Sequence, residues 1–372
     1  MSNALPVIYI VDPSVAVTGA FIAARNEARA LDGIARVVLV VPQNSTIPAE
    51  MLGDFWRVDY LPITSLSKNI VVLVGYLPAL IRASWQLKKR MESDGASRLQ
   101  LNDFYLMHGL LLRLFGFRGT IVSWVRCEPR KFVGPLARPM LALMQRAADR
   151  VVAVSAFIRT LMPPDIGTDL LYEYYDGPVR AARKWHETEE KPFIYIGNYI
   201  RGKGQETALQ AFIAAAKSNP TMTLHFYGGD MGLEKNRDYR HALEATVDAA
   251  KLQGRIHFHD FITDGFPVLE SAYAALNFSH SESFSMTVLE ASGAGVPMVA
   301  TASGGPQEII RDGVTGYIIP VGDIAAATEK ILALAGDTTL AERMGQAAAQ
   351  HVGESFSLEN FRTQLREILA LD

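Results

Sequence analysis

Short apolar runs rich in Val and Ile alternate with stretches of helical periodicity along the whole chain. In the first half these runs are Pro6–Val11, Arg36–Val41, Phe104–His108, Thr120–Trp124 and Arg150–Val154. Apolar side chains at successive positions predict strands covered on both faces, as in a parallel sheet. The second half repeats the pattern at Pro192–Gly197, Met222–Gly228, Arg255–His259, Ala275–Ser279, Pro297–Thr301 and Gly316–Ile319. Between strands, residues 204–217 place Leu209, Phe212, Ile213 and Ala216 at i, i+3, i+4 and i+7, the spacing of one buried helix face. Strand–helix alternation twice over predicts an α/β protein with two doubly wound domains.

The boundary is marked by a turn signal, Asp176-Gly177-Pro178, followed by a charged, weakly periodic stretch from Arg183 to Lys191. The expected domains are therefore 1–177 and 192–353, with a linker over 178–191. Residues 354–372 hold an amphipathic segment, Ser357–Leu371, expected as a final helix that returns to the first domain.

Composition narrows the class. At 372 residues the chain exceeds one ordinary core, and 49% hydrophobic with 20% charged residues indicates a folded rather than a disordered protein. Its longest apolar run, Ile70–Ile81, falls short of the roughly 18 residues of a membrane span. The start, MSNALPVIYIVD, lacks a basic leader region and reads as a first strand. A lone cysteine, Cys127, leaves no disulfide framework and no cysteine-based zinc site, which suits a reducing, cytoplasmic setting.

Charge adds one asymmetry. The net charge is −3, yet residues 82–150 carry 13 Lys+Arg against 5 Asp+Glu. Such an excess suits an anionic partner, either a membrane surface or a phosphorylated acceptor, or simply a solvated face. Trp85 followed by Lys88, Lys89 and Arg90 would favour peripheral attachment at the inner face of a membrane. Nucleic acid is not expected, because no recognition motif accompanies the patch.

Three loops carry candidate chemistry. Gly197 to Gly204 follows a strand, opens a helix and matches G-x-x-x-x-G-K. A nucleotide-triphosphatase loop would continue with Ser or Thr to hold Mg²⁺, whereas here Gly204 follows Lys203. Free backbone amides, a lysine and a helix start still favour a bound phosphate. The second stretch runs from Ser279 to Gly293, with Glu282 at a strand's carboxyl end and Glu290 within the following helix. Ser283 or Ser285 is the expected cap, leaving the amides of Phe284 to Thr287 for an anion. The third, Ser303 to Tyr317, offers Gly304, Gly305 and Glu308 beside the same strand ends.

Together these motifs, with Tyr227-Gly228-Gly229 and the run Glu290-Ala291-Ser292-Gly293-Ala294-Gly295-Val296-Pro297, resemble the retaining glycosyltransferases of family 4 (glycosyl transferases group 1). The resemblance implies the GT-B fold, two Rossmann-like domains facing across a cleft. In the first half it is carried by Thr18-Gly19 and by Val152-Ala153-Val154-Ser155. It implies a hexosyl transfer from a nucleotide-diphosphate sugar of UDP or GDP type to a glycan or lipid-linked acceptor, in surface polysaccharide or glycolipid synthesis. Glu282, Lys203 and His108 would serve catalysis. Glu290, Asn198, Arg201, Gly202, Phe284, Ser285, Met286, Thr287 and Gly19 would bind the donor. His108 is expected at a strand end beside the reacting sugar, with Arg126 and Glu128 as further candidates.

Two positions depart from the family pattern. Asn198 stands where Arg is usual, so Arg201 would have to supply that charge, and Ser285 stands where Gly is usual. No cofactor is implied. No Asp-x-Asp pair occurs in the sequence, and His257 with His259 reads as a solvated or buried pair, so no metal site is expected. The alternative is a sugar-nucleotide-binding or epimerase-like protein without transferase activity.

Overall fold

All but one of the apolar runs form strands of two parallel sheets in this computed structural model, which describes residues 5–64, 70–181, 185–186 and 189–371, with 70–74 as backbone only. The chain divides into one unit of Met1–Glu173 plus Leu358–Asp372 and a second of Tyr174–Ser357. Residues 178–181 thus fall within the second unit; 182–184 and 187–188 of the expected linker, Arg183 included, lie outside the described residues.

The first unit runs β1 (Val7–Val11), α1 (Gly19–Ala30), β2 (Arg36–Pro42), β3 (Arg57–Leu61), α2 (Ile70–Ser93), β4 (Arg98–Leu101), α3 (His108–Leu114), β5 (Thr120–Val125), α4 (Pro129–Val133), α5 (Ala137–Ala147), β6 (Arg150–Ala153), α6 (Ala156–Thr160), β7 (Asp169–Leu170). The second runs β8 (Lys191–Ile196), α7 (Gln205–Ala216), β9 (Met222–Tyr227), α8 (Glu234–Ala250), β10 (Ile256–His259), α9 (Phe266–Ser271), β11 (Ala274–Asn277), α10 (Met286–Gly293), β12 (Met298–Thr301), α11 (Pro306–Ile309), β13 (Gly316–Ile319), α12 (Ile324–Gly336), α13 (Thr338–Ser355). The last helix, α14 (Leu358–Ile368), belongs to the first unit, where Arg362 Nε donates to the Ala30 carbonyl at 2.8 Å.

Sheet order is β3-β2-β1-β4-β5-β6-β7 in the first unit and β10-β9-β8-β11-β12-β13 in the second. In each, the chain reverses direction of growth beside the first strand, so a crevice opens at the carboxyl ends of β1 and β4 and of β8 and β11. Both cores lie between sheet and helices. Tyr9, Val38, Leu99 and Ile121 pack with Leu87 and Met91 in the first; Phe193, Leu224 and Leu276 pack with Phe212 and Ile331 in the second. Each fully buried side chain of this size contributes about 1.5–3 kcal/mol.

One expected strand is absent. Phe104–His108 is not a strand: Asp103 accepts from the Phe104 amide at 2.8 Å and from the Arg126 amide at 3.1 Å, and Leu106 N bonds back to the Asp103 carbonyl. That turn spends the backbone groups a ladder would need. The strand in this position is β4, whose polar Gln100 is fully buried and broke the apolar pattern. The strands β3 and β7 escape pattern reading for the same kind of reason, being charged and partly exposed.

Beneath the first crevice lies a buried ionic node. The Arg126 guanidinium donates to Glu173 at 2.7 Å, to the side-chain Oδ1 of Asn102 at 2.7 Å and to Glu27. It also lies over the Trp124 ring at 4.2 Å. Burial pushes the Glu27 carboxyl up to about 7 against the opposing pull of Arg126. Arg126 therefore holds the interior together. Arg126→Ala, which strands two buried carboxyls, is expected to cost about 3–5 kcal/mol, read as a lower urea midpoint. Combining Arg126→Met with Glu27→Gln and Glu173→Gln should recover most of that loss.

Candidate active site

The second crevice collects most of the candidate residues. After β8 the chain forms a glycine-rich turn, in which Gly202 and Gly204 take φ of +92° and +80°. A Cβ on Gly204 would lie 1.9 Å from the Phe278 carbonyl oxygen, so only glycine lets this loop rest on the segment after β11. Tyr195 clamps the same junction: its hydroxyl donates to the Lys203 carbonyl and accepts from the Phe278 amide at 2.9 Å. His280 N donates to the Gly202 carbonyl at 2.8 Å.

This close approach brings two distant residues together. Lys203 Nζ donates to Glu282 Oε1 at 2.7 Å, and Ser279 Oγ donates to the same oxygen at 2.7 Å. The lysine side chain is 37% exposed, the carboxylate 12%. An ion pair this open to water is worth little to stability. Lysine is instead held at the crevice mouth, able to exchange its carboxylate for an anionic ligand. The Glu282 backbone is pinned by Ser303 and Gly305, and a Cβ on Gly305 would lie 2.2 Å from Phe284 backbone.

Helix α10 starts from a strained residue. Ser285 has φ of +85°, a conformation costing about 1–3 kcal/mol without glycine. Its hydroxyl does not cap the helix as expected; Asn277 Nδ2 donates to it at 3.3 Å and to Thr287 Oγ1 at 3.1 Å. Phe284 is buried against Phe356, while Met286 and Thr287 are half-buried. Glu290, one turn on, is half-buried, and its carboxyl is pushed up to about 7 by desolvation, with Asp264 adding like-charge repulsion. Glu290 also raises the Tyr175 phenol, after desolvation, which dominates. The Tyr175 ring covers Gly293, where a Cβ would approach within 2.3 Å.

Other expected site residues are held elsewhere. Asn198 Oδ1 accepts from Gly229 N at 3.1 Å, tying the phosphate-type loop to the turn after β9. The Arg201 guanidinium lies over the Tyr239 ring at 5.1 Å. Gly19 begins α1 in the first unit, behind Thr18, whose hydroxyl accepts from Phe21 N at 3.2 Å.

His108 requires correction. It ends no strand but starts α3, is 3% exposed, and neither ring nitrogen has a partner among the described residues. Arg126 is likewise interior. Asn277, Tyr195, Asp264 and Tyr175 carry no motif in the sequence. Asn277 precedes the Ser279–Gly293 stretch, so a strand's carboxyl end was a usable signal for it. Tyr175 and Asp264 come from remote loops and had none.

The described residues contain no group of three or more His, Cys, Asp or Glu placed to hold a metal ion. His225, His257 and His259 stack on the β9–β10 edge, with His225 Nδ1 and His259 Nε2 3.0 Å apart.

The two doubly wound parallel sheets give the GT-B fold. Solved structures share it over nearly the whole chain. Anabaena HepE in complex with UDP and glucose superposes with a TM-score of 0.82 at 18% identity, covering 98% of this chain and 99% of that one. Sucrose-phosphate synthase from Thermosynechococcus elongatus gives 0.78 at 19%, covering 98% of each. Residues 180–351 match the family model of glycosyl transferases group 1. A GDP-mannose-dependent alpha-(1-6)-phosphatidylinositol monomannoside mannosyltransferase of Mycolicibacterium smegmatis is 26% identical over 276 residues, 69% of this chain and 70% of that protein. Alpha-1,3/1,6-mannosyltransferase ALG2 of Dictyostelium discoideum is 30% identical over 195 residues, 49% of this chain and 46% of that protein.

Burial drives the His108 imidazole down to about 4. The unfolded chain, with an ordinary histidine near 6.5, then binds a proton that the folded one refuses between those values. His108 should therefore subtract up to about 3 kcal/mol of stability as pH falls from 6.5 to 4. Denaturant midpoints at pH 7 and pH 4.5 should differ less in His108→Leu than in the wild type.

Proposed function

We propose that the chain is a retaining hexosyltransferase of family 4, which takes its sugar from a nucleotide-diphosphate donor. The observation that carries this reading is Lys203 held by Glu282 at the carboxyl ends of β8 and β11. Lysine and the amides at the start of α10 meet phosphate oxygens, and carboxylates accept from sugar and ribose hydroxyls. In this reading Lys203 faces the diphosphate, Glu282 the sugar, Glu290 the ribose, and Gly202, Ser285, Met286 and Thr287 line the donor. Asn198 shapes the loop in place of a charge, and Arg201 lies outside the phosphate contacts. The names of relatives support both donor types: GDP-mannose for the Mycolicibacterium enzyme, UDP for HepE.

During transfer, the bond between the anomeric carbon and the diphosphate oxygen breaks as the acceptor hydroxyl adds to the same face. The acceptor's proton passes to the leaving phosphate oxygen, so no separate base is required. Lys203 and the α10 amides stabilise the charge that develops there. His108, buried and neutral, takes no part. Because lysine and amides supply the positive charge, transfer proceeds without a metal ion. Product NMR with UDP- and GDP-hexoses should show retained anomeric configuration in EDTA. Lys203→Ala should lose nearly all turnover, and Glu290→Ala should weaken nucleotide binding by about 1–3 kcal/mol. Inverted product, or complete loss of activity in EDTA restored by Mg²⁺, overturns the reading.

The acceptor is a glycan or lipid-linked glycan, met at the inner face of an anionic membrane in surface polysaccharide or glycolipid synthesis. Leu77, Ile81 and Trp85 form an exposed stripe along α2, with Lys89 Nζ 3.8 Å from the Trp85 ring centre and Arg82 exposed beside it. Lys88 and Arg90 are less available, since Lys88 pairs with Glu92 and Arg90 bonds Asp59 at 3.0 Å. The side chains of Ile70–Val74 lie outside the described residues, and no described helix is long and apolar enough to cross a membrane. At about 1 kcal/mol for each basic residue, attachment is reversible. Vesicles containing phosphatidylglycerol should bind the protein, less so in high salt or after Arg82→Ser with Lys89→Ser; equal binding to neutral vesicles would argue against it.

A further inference from the structure

The first sheet also presents a ligand crevice, and its rim carries an aromatic stack with no assigned role. Tyr105 follows β4 by four residues, and Phe132 lies in α4, seven residues after the neighbouring β5. Both therefore stand at carboxyl ends of adjacent strands, where sheets of this kind take ligands. Their rings stack with centroids 4.4 Å apart and 23° between planes. Phe104, fully buried, meets both edge-on, at 5.6 Å for Tyr105 and 6.3 Å for Phe132. The stack is thus rooted in the core and ends in solvent: Phe132 is 46% exposed. One face of the Phe132 ring lies on Tyr105 and the ring meets Phe104 edge-on, while the residue stays nearly half exposed.

An open aromatic face offers a negative π surface to C–H groups. The rim decides which molecule brings them. Lys131 Nζ and Glu128 Oε1, one helical turn away, form an ion pair of 2.7 Å, and Arg130 is exposed on the same short helix. A hydrocarbon chain laid here would strip water from both charges. A sugar ring has an apolar C–H face and a margin of hydroxyls that can donate to the carboxylate and accept from the ammonium.

We propose that Phe132, backed by Tyr105 and Phe104, is the platform on which a pyranose ring of the acceptor stacks, with Glu128 and Lys131 engaging its hydroxyls. This rests on the glycosyl-transfer reading and adds to it the acceptor's chemical class at this subsite, a neutral saccharide.

Saturation-transfer NMR with methyl α-glucoside, methyl α-mannoside and methyl N-acetyl-β-glucosaminide, no donor being present, tests it directly. At least one glycoside should receive saturation mainly on the C–H groups of one ring face. Phe132→Leu, which keeps an apolar side chain at an exposed position, should bind that glycoside about tenfold more weakly, while Phe132→Tyr should bind it as the wild type does. Equal binding by wild type and Phe132→Leu, or no binding of any glycoside, overturns the platform. So does binding of farnesyl diphosphate that is lost in Phe132→Leu while glycosides are unaffected, since the seat would then be a lipid's. UDP and GDP titrations on the same samples keep the two readings apart: failure of nucleotide binding counts against the donor assignment and leaves the glycoside result standing.

Discussion

The candidate site depends on one close backbone contact, that of Gly204 with Phe278. The space between them would leave a Cβ 1.9 Å from a carbonyl oxygen. Any side chain there would push the loop after β8 away from the segment after β11. Lys203 would then lose Glu282, and the Tyr195 hydroxyl could not bridge both segments. The glycine does more than permit a turn. It sets the distance across the crevice and so the place where positive charge is offered.

The two units share a strand order but use their crevices differently. In the first, the side chains that converge under the strand ends neutralise one another: Asn102 donates to Asp12, and Arg126 sits between Glu27 and Glu173. Charges so deeply enclosed are committed to the interior, because releasing any one would leave another unpaired. In the second, the corresponding pair reaches water through its cation, Lys203, whose side chain is 37% exposed. At the first unit's rim, Tyr105 and Phe132 stack above a buried Phe104. A single topology thus supplies a charged pocket in one unit and an aromatic shelf in the other.

Backbone strain marks the same region. Ser285 occupies a left-handed conformation that glycine would adopt freely, and Asn277 holds its hydroxyl away from the helix amides it was expected to cap. Asn198, in a position where a cation is usual, has become a loop tie to Gly229. Both departures alter how the loops are held more than what they offer, since Lys203 and the start of α10 still face the crevice.

Sequence alone determined the α/β class, the two parallel sheets and the glycine-rich and acidic loops at the strand ends that hold Lys203 and Glu282. Those features are local: period-2 and period-3.6 patterns, glycines at turns and charged groups at strand ends are written within a few residues. It misplaced β4 because buried Gln100 looks polar, and it made a strand of Phe104–His108 because an aromatic cluster and a ladder share the same composition. It also put His108 at the end of a strand, where the tertiary structure has it buried at the start of α3. Only the fold decided those cases. Whether a polar side chain is enclosed or open, and whether Tyr175 and Asp264 stand near Glu290, depends on which distant loops meet when the sheets close, and residue spacing carries no record of that.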